Sequence, residues 1–75
     1  MKAHKKKDTI QLYKQIGTRI AKFRNEQNLS QVQLAEKIGI KQQILAGYEI
    51  ASRRIPVSML FPIANALFVR VEDLL

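Results

Sequence analysis

Hydrophobic residues recur at helical spacing along most of the 75-residue chain. In the first third, Leu12, Ile16, Ile20 and Phe23 are separated by four, four and three positions, which is the spacing of one buried face of an α-helix. Asn28 follows where such a helix would end, and asparagine tolerates the left-handed conformation of a helix cap. The pattern predicts an amphipathic first helix.

The start of this helix is predicted from its capping residues. Asp8 or Thr9 can accept hydrogen bonds from the free N–H groups of a first turn, which places that turn at Gln11 or Leu12. The residues before Asp8 are basic and lack hydrophobic periodicity. We therefore expect a flexible basic arm over residues 1–8 and one folded domain over residues 9–75.

The middle of the chain predicts two short helices joined by a tight turn. Ser30 and Gln33 have the S-x-x-Q spacing of a capping box, in which each side chain accepts a hydrogen bond from the backbone of the other. Gly39 can adopt the positive φ that ends this second helix. A third helix is predicted from residue 41 or 42 to residue 48 or 49.

The C-terminal third predicts two further helices. Pro56 cannot continue a helix, so residues 50–56 are expected to form a basic loop. Ser58 can cap the next helix, and Pro62 fits only in its first turn, which places the start near residues 57 to 60. A short last helix is predicted over residues 71–75. Because no strand pattern occurs in the sequence, the predicted fold class is all-α with five helices.

The charge balance indicates a polyanionic partner. The chain has 13 lysine and arginine residues against 6 acidic residues, a net charge of +7 and a pI near 10.2, which favours nucleic acid or an acidic membrane surface. It has no cysteine, and its one histidine, His4, has no ligand-type neighbour, so we expect no metal site. No catalytic triad, carboxylate pair or glycine-rich phosphate loop occurs, so we expect neither an enzyme nor a cofactor.

Two features bear on location. No apolar run approaches the roughly 18 residues that span a bilayer, and residues 8–15 are too polar for the apolar region of a signal peptide. We therefore expect a cytoplasmic protein, associated with the nucleoid and without membrane contact.

The residues of the predicted second to fifth helices follow a recognisable order. Residues 29–49 fit L-S-Q-x-x-L-A-x-x-x-G-I-x-x-x-x-L-x-x-Y-E, and residues 53–74 fit R-R-I-P-x-S-x-L-x-x-I-A-x-A-L-x-V-x-x-x-x-L. This order resembles the lambda-repressor-like helix-turn-helix domains, which include small phage repressors, Cro proteins and XRE-type bacterial regulators. The resemblance implies a compact five-helix domain whose third helix enters the major groove of DNA.

The sequence departs from that family at three positions. The family usually has glycine where Ala51 stands, so we expect the turn after the third helix to close differently. It often has glycine or asparagine where Phe68 stands, and a large aromatic residue at this corner is expected to be exposed. The position of Gly47 usually carries a side chain that can reach DNA, and here it carries none.

The outer face of the third helix is expected to contact bases. At about 100° per residue, a helix that buries Leu45 and Tyr48, as the resemblance implies, turns Gln43 outward. A glutamine amide can pair with adenine N6 and N7, and an apolar side chain can pack on a thymine methyl group. A simpler alternative is that the glutamines are only soluble residues at a helix start. The predicted base contacts are Lys41, Gln42, Gln43, Ile44, Ala46 and Gly47.

Residues around this helix are expected to contact phosphates. Gln31 lies in the first turn of the second helix, where free N–H groups and the helix dipole favour an anion. Arg53 and Arg54 follow the third helix, where the resemblance implies contact with the DNA backbone. The lysines of the arm either follow the phosphates or form a solvated tail, and each arginine can also be a solvated surface charge. The predicted phosphate contacts are Gln31, Arg24, Arg53, Arg54, Lys5 and Lys6.

Other residues are expected to have structural roles. The resemblance implies that Tyr48 packs in the core and that Glu49 pairs with a first-helix arginine such as Arg24. The hydrophobic residues near the C-terminus exceed what so small a core can bury, and exposed apolar patches often mark interfaces. A two-fold dimer through the fourth and fifth helices is therefore predicted. Its interface residues are Phe61, Phe68, Val69, Leu74 and Leu75.

The sequence predicts a sequence-specific regulator of transcription that binds double-stranded DNA, as a small dimeric repressor on a palindromic operator. One alternative is an antitoxin-like protein whose main role is to bind a partner protein. Another is non-specific binding of RNA or an anionic membrane through the lysine arm. The outward glutamines and the basic loop favour the first hypothesis, whereas the apolar third helix and Gly47 keep the second one open.

Overall fold

The computed structural model describes the backbone of residues 5–75 and the side chains of residues 9–75. Within that range the chain forms helices and no strand, which confirms the predicted all-α class with five helices. None of the described helices is long and apolar enough to cross a membrane. The helices are α1 (Lys5–Glu26), α2 (Gln31–Ile38), α3 (Gln42–Glu49), α4 (Val57–Ala66) and α5 (Val71–Leu74).

The first helix begins earlier than its hydrophobic pattern predicts. α1 starts at Lys5, so the predicted first turn at Gln11 or Leu12 is wrong. Lysine is a good helix former, and extending an existing helix costs far less than nucleating one. Lys5 and Lys6 therefore stand on helical backbone instead of an irregular arm. Residues 1–4, the rest of the predicted arm, lie outside the described residues.

The core is formed by apolar stripes from all five helices. α1 packs against α3 and α5, α2 packs against α3 and α4, and α4 packs against α5. α1 therefore supports α3 from inside the domain and leaves the opposite face of α3 open. The buried hydrophobic residues are Ile16, Ile20, Leu34, Ala35, Leu45, Tyr48, Ile55, Leu60, Ile63, Ala64, Leu67 and Leu74.

Three corners place a residue other than glycine in the left-handed region. Asn28 ends α1 with a φ of 58°, as its predicted cap requires. Ala51 has a φ of 60°, so the expectation that this turn closes differently is wrong: it closes in the left-handed conformation without a glycine. Phe68 has a φ of 58° and is 84% exposed, which confirms the expected exposed aromatic corner.

The fourth helix begins within the predicted range but for a different reason. Pro56 occupies the N-cap position, so the expectation that Ser58 caps the helix is wrong. α4 begins at Val57, which places Pro62 in the second turn instead of the first. The proline removes the N–H that would bond to the carbonyl of Ser58. Ser58 is exposed, so water can satisfy that carbonyl.

Candidate nucleic-acid interface

The turn between α2 and α3 is set by local hydrogen bonds. The backbone N–H of Gln33 donates to Ser30 Oγ at 3.0 Å, and the backbone N–H of Ser30 donates to Gln33 Oε1 at 2.8 Å. This confirms the predicted capping box. Gly39 ends α2 with a φ of 75°, and α3 begins three residues later. The two helices and their connection therefore form the predicted helix-turn-helix.

α1 and α3 approach each other at a glycine. A Cβ atom added to Gly17 would lie 2.3 Å from the carbonyl oxygen of Tyr48 and 2.5 Å from that of Glu49. No side chain fits at such distances, so Gly17 lets the C-terminal end of α3 rest on the backbone of α1. This contact fixes the position of α3 in the domain.

A buried ion pair holds the same end of α3. Arg24 donates from Nε to Glu49 Oε2 at 2.7 Å and from Nη2 to Glu49 Oε1 at 3.0 Å, as expected for a paired first-helix arginine. The two side chains are only 12% and 5% exposed. The hydrogen bonds to Glu49 raise the pKa of Arg24 above its ordinary value. Because the pKa of Arg24 is raised, its guanidinium stays protonated through neutral pH, and its contribution to stability is fully present there.

The same arginine makes further hydrogen bonds within the protein. Nη1 of Arg24 donates to the carbonyl of Leu29 at 2.8 Å and to Asn25 Oδ1 at 3.2 Å, in addition to the bonds with Glu49. Because most of its N–H donors are used in this way and its side chain is only 12% exposed, the structure disfavours the predicted phosphate contact by Arg24. Its role is to hold α1, α3 and the start of α2 together.

A pair of amides connects the ion pair to the leading edge of α3. Gln31 Nε2 donates to Glu49 Oε1 at 3.0 Å, and Gln42 Nε2 donates to Gln31 Oε1 at 2.7 Å. Glu49 as a carboxylate can only accept, so it fixes the direction of both amides. Oε1 of Gln42 accepts no hydrogen bond within the described residues. Since no buried side-chain N or O atom there lacks a partner, this oxygen faces solvent.

The predicted base-contacting residues divide into outward and inward groups. Lys41 and Gln43 are exposed, and Gln42 and Ala46 are half-buried. Ile44 is half-buried because it packs against the core. Gly47 lies on the outer face of α3 but is buried, because the loop after α3 folds back over it, so Gly47 itself is not part of the exposed surface. The outward polar surface of α3 is therefore Lys41, Gln42 and Gln43.

The predicted phosphate contacts around α3 differ in how far they are exposed to solvent. Arg53 and Arg54 are exposed. The guanidinium carbon of Arg54 lies 5.5 Å from the ring centroid of Tyr13 on α1. Gln31 is half-buried and lies at the first position of α2. The side chains of Lys5 and Lys6 lie outside the described side chains.

The exposed charges around α3 have one sign. Lys41 precedes the helix, and Arg53 and Arg54 follow it. The acidic residue of the segment, Glu49, is buried and paired with Arg24. Between residues 39 and 56 the exposed charges are therefore all positive, although the surface also includes Ile50, which is 74% exposed. Exposed positive charge is the electrostatic character of a surface that binds a polyanion.

The predicted dimer residues are mostly exposed. Phe61 is 61% exposed, Phe68 84% and Leu75 45%, while Val69 is half-buried against the core. Leu74 is fully buried in the monomer, so its assignment to the interface is wrong. Val57 is 73% exposed and is not among the predicted residues. Its signal was helical spacing, because Val57 stands four residues before Phe61 on α4.

Known proteins share this fold. The family model HTH_3, described as helix-turn-helix, matches residues 20–74. The restriction-modification controller protein C.AhdI from Aeromonas hydrophila has a similar structure, with a TM-score of 0.80, 28% identity, and coverage of 87% of this chain and 97% of that chain. The clp gene regulator ClgR from C. glutamicum shares the fold, with a TM-score of 0.80, 22% identity, and coverage of 84% of this chain and 82% of that chain. No curated protein sequence gives a significant match.

The family match covers the C-terminal end of α1 and all of α2 to α5. It confirms the resemblance found in the sequence. The family and the controller protein C.AhdI support a DNA-binding transcriptional regulator. The chain belongs to the XRE-type helix-turn-helix family HTH_3.

Proposed function

We propose that the protein is a small dimeric repressor that recognises a palindromic operator through α3. The observation that carries this proposal is the outer surface of α3, where Gln43 and the free oxygen of Gln42 lie in a segment whose exposed charges are all positive. Amides can discriminate bases, and the cations attract the phosphates beside them.

The hydrogen bond to Gln31 orients the amide of Gln42 for adenine. With one N–H bound to Gln31, its Nε2 keeps a second hydrogen for adenine N7, and its outward Oε1 can accept from adenine N6. Guanine presents acceptors at both positions, so the outward oxygen would face another oxygen. Gln42 therefore favours adenine, while Gln43, which is exposed, supplies a second amide.

The outer surface of α3 that carries Gln42 and Gln43 is its reading face. The proposed phosphate contacts lie outside it. Arg54 follows α3, Lys5 and Lys6 belong to the first turn of α1, and Gln31 begins α2. Neutralising phosphates releases counterions, so the cationic residues supply an affinity that falls with salt and is largely independent of sequence, and the neutral amide of Gln31 adds a hydrogen bond.

The experiment is a comparison of Gln43→Ala with Arg54→Ala on a panel of duplexes that differ at single base pairs of a selected site. Gln43→Ala is expected to lose discrimination at one position of each half-site. Arg54→Ala is expected to weaken binding to all duplexes by a similar factor. If Gln43→Ala left every base preference intact, the assignment of the reading face would be wrong.

The dimer is proposed to form through the exposed apolar residues of the C-terminal half. Phe61 and Leu75 line one apolar groove together with Val57, and Phe68 is 84% exposed. Recognition of a palindromic operator requires the two copies of α3 to stand about 34 Å apart, one turn of DNA. Sedimentation should show a dimer at tens of micromolar protein and a weaker one for Phe61→Lys. A wild-type monomer with and without DNA would exclude this arrangement.

A further inference from the structure

The loop after α3 is fixed to the helix at Gly47. The backbone N–H groups of Ser52 and Arg53 donate to the carbonyl oxygen of Gly47 at 3.0 and 3.2 Å. Ala51, with its φ of 60°, reverses the chain between them. The loop therefore returns to α3 through backbone hydrogen bonds that do not depend on the side chains it carries.

The side chain of Arg53 lies over Gly47. A Cβ atom added to Gly47 would lie 3.0 Å from Cβ of Arg53 and 3.6 Å from its Nε. Cβ and Nε of Arg53 are both close to the position that a Cβ of Gly47 would occupy. The side chain of Arg53 therefore runs along the surface of α3. Gly47 is buried beneath it, while Arg53 itself is exposed.

The position of Gly47 lies on the reading face of α3. Residues four apart lie on the same face of a helix, one turn apart, so Gly47 follows Gln43 along the helix. Gln43 is exposed, and the next position on that face has no side chain of its own. Arg53, arriving from the loop, supplies a side chain there.

We infer that Arg53 contacts a base in the major groove and takes the place of the side chain that Gly47 lacks. The inference rests on the proposed DNA-binding function and replaces the sequence-independent phosphate contact predicted for Arg53. A guanidinium presents parallel N–H donors that match O6 and N7 of guanine. The expected target is a guanine beside the base pair that Gln43 contacts.

Arg54 is a matched control for this role. It is the next residue, carries the same charge and is also exposed. Its guanidinium lies over the Tyr13 ring of α1 instead of over α3. If only the positive charge of the loop mattered, substitutions at the two arginines would have the same effect. A contact with a base is expected from Arg53 alone.

The test is the base preference of Arg53→Lys and Arg54→Lys, measured as affinity ratios across duplexes substituted one base pair at a time. Lysine keeps the charge but lacks the planar pair of donors. Arg53→Lys should reduce the preference for guanine at one position of each half-site by at least about fivefold. Arg54→Lys should leave every ratio unchanged. A ratio does not depend on the active fraction of a variant, so partial unfolding cannot imitate the result.

Gly47→Ala is a second test of the contact between Arg53 and a base. Its added methyl group would meet Cβ of Arg53 at 3.0 Å, so the arginine must shift although its charge and donors remain. The same guanine preference should fall. Equal effects of Arg53→Lys and Arg54→Lys on all duplexes would overturn the inference. A wild-type protein with no preferred duplex would overturn the proposed function, and the role of Arg53 with it.

Discussion

Replacement of Gly17 by alanine tests how closely α3 rests on α1. The added Cβ would lie 2.3 Å from the carbonyl oxygen of Tyr48, where ordinary contact requires at least 3.4 Å, so the helices must separate by about 1 Å. In an isolated helix the same substitution would be stabilising by about 0.5–1 kcal/mol. Overpacking of a rigid backbone contact costs about 1–3 kcal/mol or more, and the separation would also stretch the Arg24–Glu49 ion pair. We expect a net loss of about 2 kcal/mol.

The assay is urea unfolding at one fixed protein concentration, since a dimer would make stability depend on concentration. A loss of about 2 kcal/mol lowers the melting temperature of a domain of this size by roughly 10 °C. Thr18→Ala is the control, because Thr18 is the next residue of α1 and is exposed. It should change stability by no more than about 0.5 kcal/mol. If Gly17→Ala were as stable as the wild type or more stable, the close contact would be refuted.

Three further substitutions test other parts of the fold by the same unfolding assay. Ala51→Gly should stabilise the protein by about 1 kcal/mol, because Ala51 has a φ of 60°; a loss would show that the turn is not left-handed. Ser30→Ala removes the oxygen that accepts from the backbone of Gln33, and should cost about 1 kcal/mol with a cooperative transition preserved; no change would argue against the cap. Glu49→Leu leaves Arg24 buried without its partner and should cost about 3–5 kcal/mol, while adding Arg24→Met should recover part of that loss; a double variant that is no better than the single one would contradict the buried ion pair.

The sequence predicts the helices and their local signals well because those depend on neighbouring residues. The capping box at Ser30 and the left-handed Gly39 each involve groups a few positions apart, and both occur as predicted. The start of α1 was placed too late because the hydrophobic pattern reports burial, and a helix can extend beyond its buried face.

Contacts between segments account for the errors in the candidate site. Helical angle and the family resemblance both predict an outward Gly47, but the loop that covers it is positioned by hydrogen bonds to its carbonyl. Arg24 was assigned to phosphate by its charge, and the structure shows its donors bound to Glu49, Leu29 and Asn25. A glycine inside a helix often marks close packing, so the sequence could have predicted this role for Gly17.

The central claim is that α3 recognises a DNA sequence, and its most direct test is the affinity for a selected duplex compared with that for a scrambled one, across a range of salt concentrations. A sequence-specific regulator should bind the selected duplex on the order of 10³-fold more tightly at physiological salt. The affinity for both duplexes should fall with salt, because each loses its phosphate contacts. Equal affinities that fall in parallel would contradict the claim and would leave only the attraction of a basic protein for a polyanion.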